Sequence, residues 1–351
     1  MAKKSRKLEH IKYFLSLAEN TAGNGFSDVQ LLHDCLPETS LQAISLSTRL
    51  GRMRLSQPII IDAITGGDEK LTTINRDLAA VAKATGCAMA VGSQHAALKD
   101  RRVRPSYEIV RKINPDGLIF ANIGAYANAV MAKEAVDMLG AQALEIHLNV
   151  AQELFMTEGD RAFDGYIDNI AEITQALTVP VIVKETGCGV SMETVGRLLA
   201  AGVRIINVAG TGGSNFLAIE TMRAGKSLDA DITGWGINTA LSTLEAARIG
   251  GDKTDIIVSG GIKTSLDIIK ALACGGRAVG IAGLFLGILL KQGRQALEEK
   301  IKQLLAECQR LLLLTGSSDI DQLHKKPLII TGFAQQWLTA RGIDPASFAG
   351  R

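Results

Sequence analysis

The chain has 351 residues, of which 47% are apolar and 21% are charged, and its formal net charge at pH 7 is +2. This composition is typical of a globular protein with a full hydrophobic core, and so small a net charge gives no reason to expect nucleic acid as a partner. The five cysteines form no C-x-x-C pair, which argues against a zinc site and a disulfide framework and favours a reducing cytoplasm.

The basic start of the chain, MAKKSRKLEHIKYFL, does not resemble a signal peptide, because Glu9, His10 and Lys12 interrupt the apolar stretch that such a peptide needs. The longest apolar run, residues 278–290, is shorter than the ~20 residues that span a bilayer. We therefore expect no targeting sequence and no membrane segment.

Eight short runs rich in Val, Ile and Ala recur along the chain, and each ends in Gly or a small polar residue before a stretch with helical spacing. In chain order they cover residues 58–67, 87–94, 118–124, 143–149, 179–187, 205–213, 255–262 and 277–283. Strands this apolar are buried on both faces, which requires parallel pairing with helices outside, and eight βα units are the number that closes into a barrel. We predict an α/β fold, a (β/α)8 TIM barrel in a single domain; an open doubly wound sheet is the alternative.

The predicted barrel takes up residues 56–290, between an N-terminal extension (1–55) and a mostly helical C-terminal segment (291–351) that packs on it. The connection after the sixth strand, roughly residues 211–254, is longer than its neighbours. Long loops at the active face of a barrel are often mobile lids. A surface insertion without a function is the alternative.

Polar residues and glycines collect where the strands end, which is the face that carries the active site in such barrels. His147 and Asn149 are two residues apart and so point the same way, with Gln152 and Glu153 just beyond. Lys184 lies between valines and a glycine turn, where a desolvated ammonium needs a negative partner, either a reduced flavin or a barrel carboxylate. The other strand ends carry Thr65, Gly66, Gly67, Ser93, Gln94, Asn122 and Ser214.

The last two strands end in SGGIKT (259–264) and IAGLFLG (281–287), where glycine lets backbone amides approach an anion and a helix N-terminus favours it. A phosphate-bearing cofactor is implied, although a tight strand-to-helix turn explains each glycine pair equally well. No G-x-G-x-x-G opens a βαβ unit, so a Rossmann-type dinucleotide site is not indicated. FMN is the natural phosphate-tailed cofactor for a barrel with an inward lysine.

With these residues, the chain resembles the type 2 isopentenyl-diphosphate isomerases, FMN-dependent enzymes of isoprenoid biosynthesis. The similarity runs over nearly the whole chain, including RKLEHI (6–11), ITGG (64–67), VGSQ (91–94), IHLNVAQE (146–153) and VPVIVKETGCG (179–189). It implies a barrel that binds FMN, reduced usually by NADPH, and a divalent cation, normally Mg²⁺. It also implies interconversion of isopentenyl and dimethylallyl diphosphate by a homotetramer or homo-octamer.

The resemblance also assigns roles to residues. Glu153 would hold Mg²⁺, while Lys184, Gln152 and His147 would act in catalysis, with reduced FMN as our hypothetical acid and base. The implied substrate-binding residues are Arg6, Lys7, His10, Ser93, Gln94, His95, His147, Asn149 and Gln152. The implied FMN-binding residues are Ala63, Ile64, Thr65, Gly66, Ser93, Asn122, Lys184, Gly213, Ser214, Gly260, Gly261, Lys263, Ala282 and Gly283. Without the resemblance, the basic start reads as a solvated tail.

Three positions depart from the family pattern. His95 stands where arginine is expected, Asp62 where asparagine is expected, and Asn215 where serine or threonine is common. Histidine is only partly charged near neutrality, so His95 predicts weaker or more pH-dependent binding of a diphosphate.

Two other functions fit parts of the pattern. An FMN-dependent 2-hydroxy-acid oxidoreductase would share the lysine and the phosphate glycines, but it should carry a histidine near the seventh strand and an arginine pair, and DIIVSGGIKT (255–264) has neither. A barrel that only binds a phosphorylated ligand would not need His147, Glu153 and Lys184 together.

Overall fold

The computed structural model describes residues 6–17, 23–226 and 229–351. The strands are β1 (Val29–Leu31), β2 (Thr48–Leu50), β3 (Met53–Leu55), β4 (Ile59–Ile61), β5 (Ala88–Ala90), β6 (Ile119–Gly124), β7 (Ala143–Leu148), β8 (Val181–Glu185), β9 (Ile205–Asn207), β10 (Asp255–Ser259), β11 (Gly276–Ile281) and β12 (Leu328–Ile330).

Helices lie between and after these strands. They are α1 (Arg6–Leu17), α2 (Thr72–Thr85), α3 (His95–Lys99), α4 (Pro105–Ile113), α5 (Ala129–Leu139), α6 (Val150–Phe155), α7 (Tyr166–Ala176), α8 (Met192–Ala200), α9 (Phe216–Arg223), α10 (Ala230–Thr233), α11 (Thr239–Gly250), α12 (Ser265–Ala273), α13 (Gly283–Gln292), α14 (Arg294–Leu314), α15 (Ile320–Leu323), α16 (Gly332–Ala340) and α17 (Ala346–Ala349).

Eight parallel strands, β4 to β11, follow one another around a barrel, and β11 pairs with β4 to close it. Each of the eight apolar runs coincides with one of these strands to within two residues at its start, and helices connect them. The predicted (β/α)8 TIM barrel is therefore confirmed, and the alternative of an open doubly wound sheet is excluded.

Alternate residues of the barrel strands face two different apolar layers. In β4, Ile59 and Ile61 pack against the surrounding helices, whereas Ile60 packs inside the barrel. The interior layer also includes Ala88, Ala90, Phe120, Ala143, Ile182, Ile205, Ile257 and Ala278. Because both faces of each strand are covered, the runs are apolar without a polar alternation.

The β2–β3 hairpin closes the amino-terminal end of the barrel. Leu50, Met53 and Leu55 belong to the same apolar cluster as the barrel interior. The backbone amide of Gly51 donates to the carboxylate of Asp255, the first residue of β10, over 2.5 Å. This end is sealed, so a ligand site is left to the carboxyl ends of the strands.

The N-terminal extension and the C-terminal segment meet outside the barrel. β1 pairs antiparallel with β12, with Val29 opposite Ile330. The segment 291–351 thus adds a strand to the helices that its sequence pattern indicates. No helix in the described part of the chain is both long and apolar enough to cross a membrane.

The connection after β9 folds into α9, α10 and α11 within the described residues. A parallel β-bridge joins Thr211 to Asn238, and the Asn238 side chain caps α11 by accepting from the amide of Leu241 (2.9 Å). The connection is therefore largely helical and is anchored to the strand end at Thr211. That it acts as a mobile lid stays a prediction.

Candidate active site

A layer of polar side chains crosses the barrel directly above its apolar interior. Two steps along a strand keep a side chain on the same face. Accordingly, the interior residues Ile60, Phe120, Ala143, Ile182, Ile205 and Ile257 are followed by Asp62, Asn122, Glu145, Lys184, Asn207 and Ser259. All six polar residues are buried, and they lie toward the carboxyl ends of the strands, where barrel enzymes carry their active sites.

Lys184 forms a buried ion pair within this layer. Its Nζ lies 3.2 Å from Asp62 Oδ2 and donates to the Glu185 carbonyl at 3.1 Å. Burial alone would lower the pKa of Lys184, but the charges of Asp62 and Glu145 outweigh it and raise that pKa. Of the two negative partners that the sequence suggested for Lys184, the barrel carboxylate is therefore present, at Asp62, and the lysine is charged.

Glu145 is fully buried in the middle of β7. Its Oε2 accepts from Asn122 Nδ2 over 2.8 Å, whereas Oε1 has no hydrogen-bond partner among the described residues. Burial, reinforced by the charge of Asp62, raises the pKa of Glu145 to about 8. Glu145 is not among the site residues predicted from the sequence, although its position two residues before His147 places it on the same face of the strand.

His147 and Asn122 lie on neighbouring strands and are joined through their side chains. His147 Nδ1 is 2.9 Å from Asn122 Oδ1. Both ends of the Asn122 amide are thus engaged inside the barrel, at Glu145 and at His147. Its predicted contact with FMN stays a prediction, and any such contact would share these atoms.

The short helix α6 carries the next polar cluster. Asn149 Nδ2 donates to Glu153 Oε1 at 2.8 Å, and the backbone amide of Asp160 donates to Glu153 Oε2 at 3.0 Å. The described residues contain no group of three or more His, Cys, Asp and Glu side chains able to share a metal ion. Glu153 would therefore be a lone carboxylate for Mg²⁺, which usually keeps several waters and also binds substrate phosphates.

Gln152 leads to a buried carboxylate that the sequence did not single out. Gln152 Nε2 donates to Glu220 Oε1 at 3.0 Å, and His10 Nε2 lies 2.8 Å from the same oxygen. Arg223 Nη1 pairs with Glu220 Oε2 at 2.6 Å. Burial would raise the pKa of Glu220, but the hydrogen bonds from His10, Gln152 and Arg223 lower it to about 2.

Arg223 extends this network to two further elements. Its Nε lies 3.0 Å from Glu9 Oε2 in α1, and its Nη2 pairs with Glu158 in the loop after α6. The His10 ring also meets Phe216 edge-on, with centroids 6.1 Å apart. The helix α1 is thus held against α9, beside Gln152.

Arg6 and Lys7 belong to α1, but their side chains lie outside the described part of the chain. Their predicted contact with a diphosphate stays a prediction. Docking of α1 on α9 brings their helix toward the site.

The three predicted substrate residues that follow β5, Ser93, Gln94 and His95, lie in different surroundings. Gln94 is fully buried, and its side chain accepts from the backbone N–H of Asn122 and donates to the Ala135 carbonyl, both over 2.9 Å. This geometry favours a structural role for Gln94 over the predicted substrate contact. His95 begins α3 with its ring edge-on to Tyr126, centroids 4.9 Å apart, and the Ser93 carbonyl accepts from the Tyr107 hydroxyl.

The residues after β4 are packed into the barrel rim. Ala63 packs with the interior cluster and Ile64 with the helical layer, and a Cβ on Gly66 would come within 2.2 Å of the Tyr107 ring. The hydroxyl of Thr65 is buried and has no hydrogen-bond partner among the described residues. A bound ligand would satisfy it.

The glycine turns after β9 and β10 pack backbone against backbone. Gly260 has φ 105°, and a Cβ there would come within 2.2 Å of the Gly210 carbonyl oxygen. A Cβ on Gly213 would meet the amide of Gly261 at 2.9 Å. Only glycine permits such approaches, so tight packing is one reason for these residues, and the same packing brings them together.

Two helix N-termini follow the predicted phosphate turns, and they differ. In α12, the Asp267 carboxylate accepts from the amides of Lys263 (3.1 Å) and Thr264 (3.0 Å), so these amides are already engaged, and the Lys263 side chain is exposed. At α13, Ala282 precedes Gly283 and no side chain caps the helix. The N-terminus of α13 is therefore the better place for a phosphate.

A cleft beside the polar layer joins parts of both predicted sites. Its lining includes Gln152, Thr186, Cys188, Gly213, Ser214 and Trp235. Asn215, one of the departures from the family pattern, caps α9 by accepting from the amide of Ala218 at 3.1 Å. Serine or threonine could also cap this helix, but Asn215 in addition donates from Nδ2 to the Thr233 carbonyl at 2.7 Å and so ties α9 to the end of α10.

Comparison with known proteins identifies relatives over the full length of the chain. Residues 125–330 match the FMN-dependent dehydrogenase family, which supports FMN as the cofactor. An isopentenyl-diphosphate delta-isomerase of Bacillus licheniformis is 47% identical over 352 residues, covering 100% of both chains. One from Moorella thermoacetica is 47% identical over 336 residues, covering 96% of each.

Solved structures with a similar fold are more distant in sequence. A putative lactate oxidase of Pediococcus acidilactici has a TM-score of 0.68 at 17% identity, covering 92% of this chain and 95% of that one. A mandelate oxidase variant with a monooxide FMN adduct has a TM-score of 0.65 at 15% identity, covering 91% and 96%. At these identities the likeness shows the fold alone, whereas the full-length relatives show the family: the chain belongs to the FMN-dependent, type 2 isopentenyl-diphosphate delta-isomerases.

Proposed function

We propose that the protein interconverts isopentenyl diphosphate and dimethylallyl diphosphate, with reduced FMN and Mg²⁺ bound at the carboxyl ends of the barrel strands. The observation that carries the proposal is full-length identity of 47% to a relative named for this reaction. The three proposed catalytic residues support it, because His147 lies opposite Lys184 in the register of β7 and β8, and Gln152 follows in α6.

The residues present fit FMN in two respects. The buried Thr65 hydroxyl lacks a partner in the described chain, as expected of a group that a ligand satisfies, and α13 offers an uncapped N-terminus to a phosphate. Lys184 is held charged by its ion pair with Asp62 and would stand near the flavin as a cation. When bound, reduced FMN would supply the acid and the base that move the double bond.

The chain's own residues would fix the diphosphate. Asn149 and the Asp160 amide hold the Glu153 carboxylate in one orientation, and each of its oxygens keeps a lone pair for Mg²⁺. Arg6 and Lys7 would add charge-assisted hydrogen bonds to phosphate oxygens. Anchoring the charged end positions the C5 chain. Such positioning can contribute a large part of the rate enhancement for a proton transfer to a weakly basic alkene.

The family resemblance further supports NADPH as the source of electrons, a homotetramer or homo-octamer as the assembly, and the cytoplasm as the location. We propose no nucleic acid and no membrane as partners.

A 2-hydroxy-acid oxidoreductase is not retained as the function, although the lactate and mandelate oxidases share the fold. Residues 255–273, from β10 to the end of α12, contain neither histidine nor arginine. The histidine expected near the seventh strand of such an enzyme is therefore missing from that segment.

An anaerobic assay tests the proposal. The protein is incubated with isopentenyl diphosphate, FMN, NADPH and Mg²⁺, and dimethylallyl diphosphate is measured while one component at a time is omitted. Product that requires both reduced FMN and Mg²⁺ is expected. Flavin binding without product would leave the cofactor in place and overturn the substrate.

A further inference from the structure

Three side chains form a hydrogen-bonded chain from the barrel interior to the candidate site. Glu145 Oε2 accepts from Asn122 Nδ2 at 2.8 Å, and Asn122 Oδ1 lies 2.9 Å from His147 Nδ1. Glu145 and His147 are two residues apart on β7, and Asn122 stands opposite Glu145 in the register of β6 and β7. The geometry therefore places the amide between the carboxylate and the ring.

The chemistry of the three groups determines which atom carries a proton. Above its raised pKa of about 8, Glu145 is ionised and only accepts hydrogen bonds, so the amide nitrogen of Asn122 must face Glu145 and the amide oxygen must face His147. An amide oxygen also only accepts, so the ring nitrogen facing it must be protonated. His147 Nδ1 then carries a hydrogen, and the other ring nitrogen is Nε2.

We propose that Glu145 is a positioning residue that acts through Asn122 to hold His147 in the Nδ1–H tautomer. Nδ1 is thereby committed to the fold, which fixes the chemical character of Nε2 toward any partner, a ligand included. As a neutral ring, His147 offers an acceptor at that atom, and it donates there only as an imidazolium. The inference rests on the proposed function only for the identity of the ligand.

The burial of Glu145 supports a role of this kind. The side chain is fully buried between Leu144 and Ile146, in a strand whose other early residues are apolar. A buried carboxylate is costly for a fold unless it is paired and hydrogen-bonded. Lys184 supplies an opposite charge nearby, and Asn122 supplies the hydrogen bond.

Nitrogen NMR of protein labelled at histidine tests the tautomer directly. The chain has five histidines, and a His147→Gln variant identifies the His147 signals by their loss. Spectra are recorded at about pH 9, where an unperturbed histidine is neutral. That pH also lies above the pKa of about 8 to which burial raises Glu145, so the carboxylate is ionised.

In the unaltered protein, Nδ1 is expected to give the protonated type of signal and Nε2 the unprotonated type. In Glu145→Leu the amide of Asn122 is released, and the ratio of the two tautomers is expected to fall by about tenfold, the equivalent of one net hydrogen bond. Glu245→Leu is the matched control, because Glu245 is equally buried but pairs with Arg341 and Trp337. This control is expected to leave the His147 signals unchanged.

An Nε2–H tautomer in the unaltered protein would overturn the proposal, whatever the variants do. An unchanged Nδ1–H preference in a folded Glu145→Leu variant would overturn it too. If that variant does not fold, Asn122→Leu removes the acceptor at Nδ1 and is expected to give the same loss of preference. The spectra need no flavin, substrate or turnover, so their outcome is separate from that of the isomerase assay.

Discussion

Lys184 and Asp62 form a buried ion pair in the polar layer of the barrel, with Nζ 3.2 Å from Oδ2. Asp62 occupies a position where the family pattern leads us to expect asparagine. This chain therefore supplies Lys184 with a full negative charge of its own.

Asp62→Asn keeps the shape of the side chain and removes that charge. Because a buried ammonium then loses part of its compensation, we expect the free energy of unfolding to fall by roughly 3 kcal/mol and the pKa of Lys184 to fall. Urea denaturation measures the first effect. The double variant Asp62→Asn/Lys184→Met is expected to regain part of the loss, and a stability of Asp62→Asn equal to that of the unaltered protein would contradict the assignment.

Stability should depend on pH through the buried carboxyl of Glu145 and the half-buried carboxyl of Glu185. Burial raises the pKa of Glu145 to about 8 and that of Glu185 to about 7, from 4.5. Both groups bind a proton more tightly in the folded state, so their contribution is complete below the unfolded pKa and is lost as pH rises through the folded pKa. The free energy of unfolding should fall between about pH 5 and 8, by up to ~1.4 kcal/mol per pH unit for each group.

Urea denaturation across this range checks the pH dependence. Glu145→Gln removes one of the two titrations, so its profile should be less steep, above all between pH 7 and 8. A profile that is flat or rises with pH over the whole range would show that neither carboxyl keeps its proton in the folded protein.

Asn149 holds the carboxylate that we assign to Mg²⁺. Asn149→Ala should raise the Mg²⁺ concentration needed for half-maximal activity by about 10- to 100-fold, because the freed Glu153 side chain must be ordered by the metal itself. Metal titrations of the steady-state rate measure this change. Glu172→Gln, an exposed site on α7, serves as the control. A loss of activity that saturating Mg²⁺ leaves unrepaired would point to a direct substrate contact of Asn149 instead.

Arg223 compensates the buried charge of Glu220 and holds α1. Arg223→Met keeps much of the side-chain volume, and we expect it to cost roughly 2–3 kcal/mol of stability and to raise KM for the diphosphate more than it lowers kcat. Thermal unfolding and steady-state kinetics give both values. Glu158→Gln removes only the more exposed partner, so it should cost less than about 1 kcal/mol. Equal losses of stability in the two variants would show that the buried Arg223–Glu220 pair contributes no more than the exposed Arg223–Glu158 pair.

The barrel and its polar strand ends could be predicted because both depend on local order. Eight apolar runs set the strand number, and alternation along β7 and β8 places His147 and Lys184 on the inner face. Gln94 lies beyond the end of β5, where alternation no longer gives the direction of a side chain. The burial of the Gln94 side chain therefore could not be predicted from the sequence pattern.

The carboxylate network around α9 could not be predicted for a different reason. Arg223 and Glu9 are 214 positions apart, and their pairing depends on where α1 docks. A charged pair three residues apart in α9 looks like an ordinary solvated helix face from the sequence alone. Glu220 is buried only because of the tertiary structure, and its burial makes the ion pair with Arg223 necessary for stability.

The pairing of β1 with β12 has a consequence for synthesis in the cell. Residues 29–31 cannot find residues 328–330 until the ribosome has made almost the entire chain. The eight barrel strands, by contrast, are complete by residue 281. The nascent protein therefore carries an unpaired amino-terminal strand through most of translation, and a stop codon a few dozen residues early would remove the partner of β1 although all eight barrel strands would still be made.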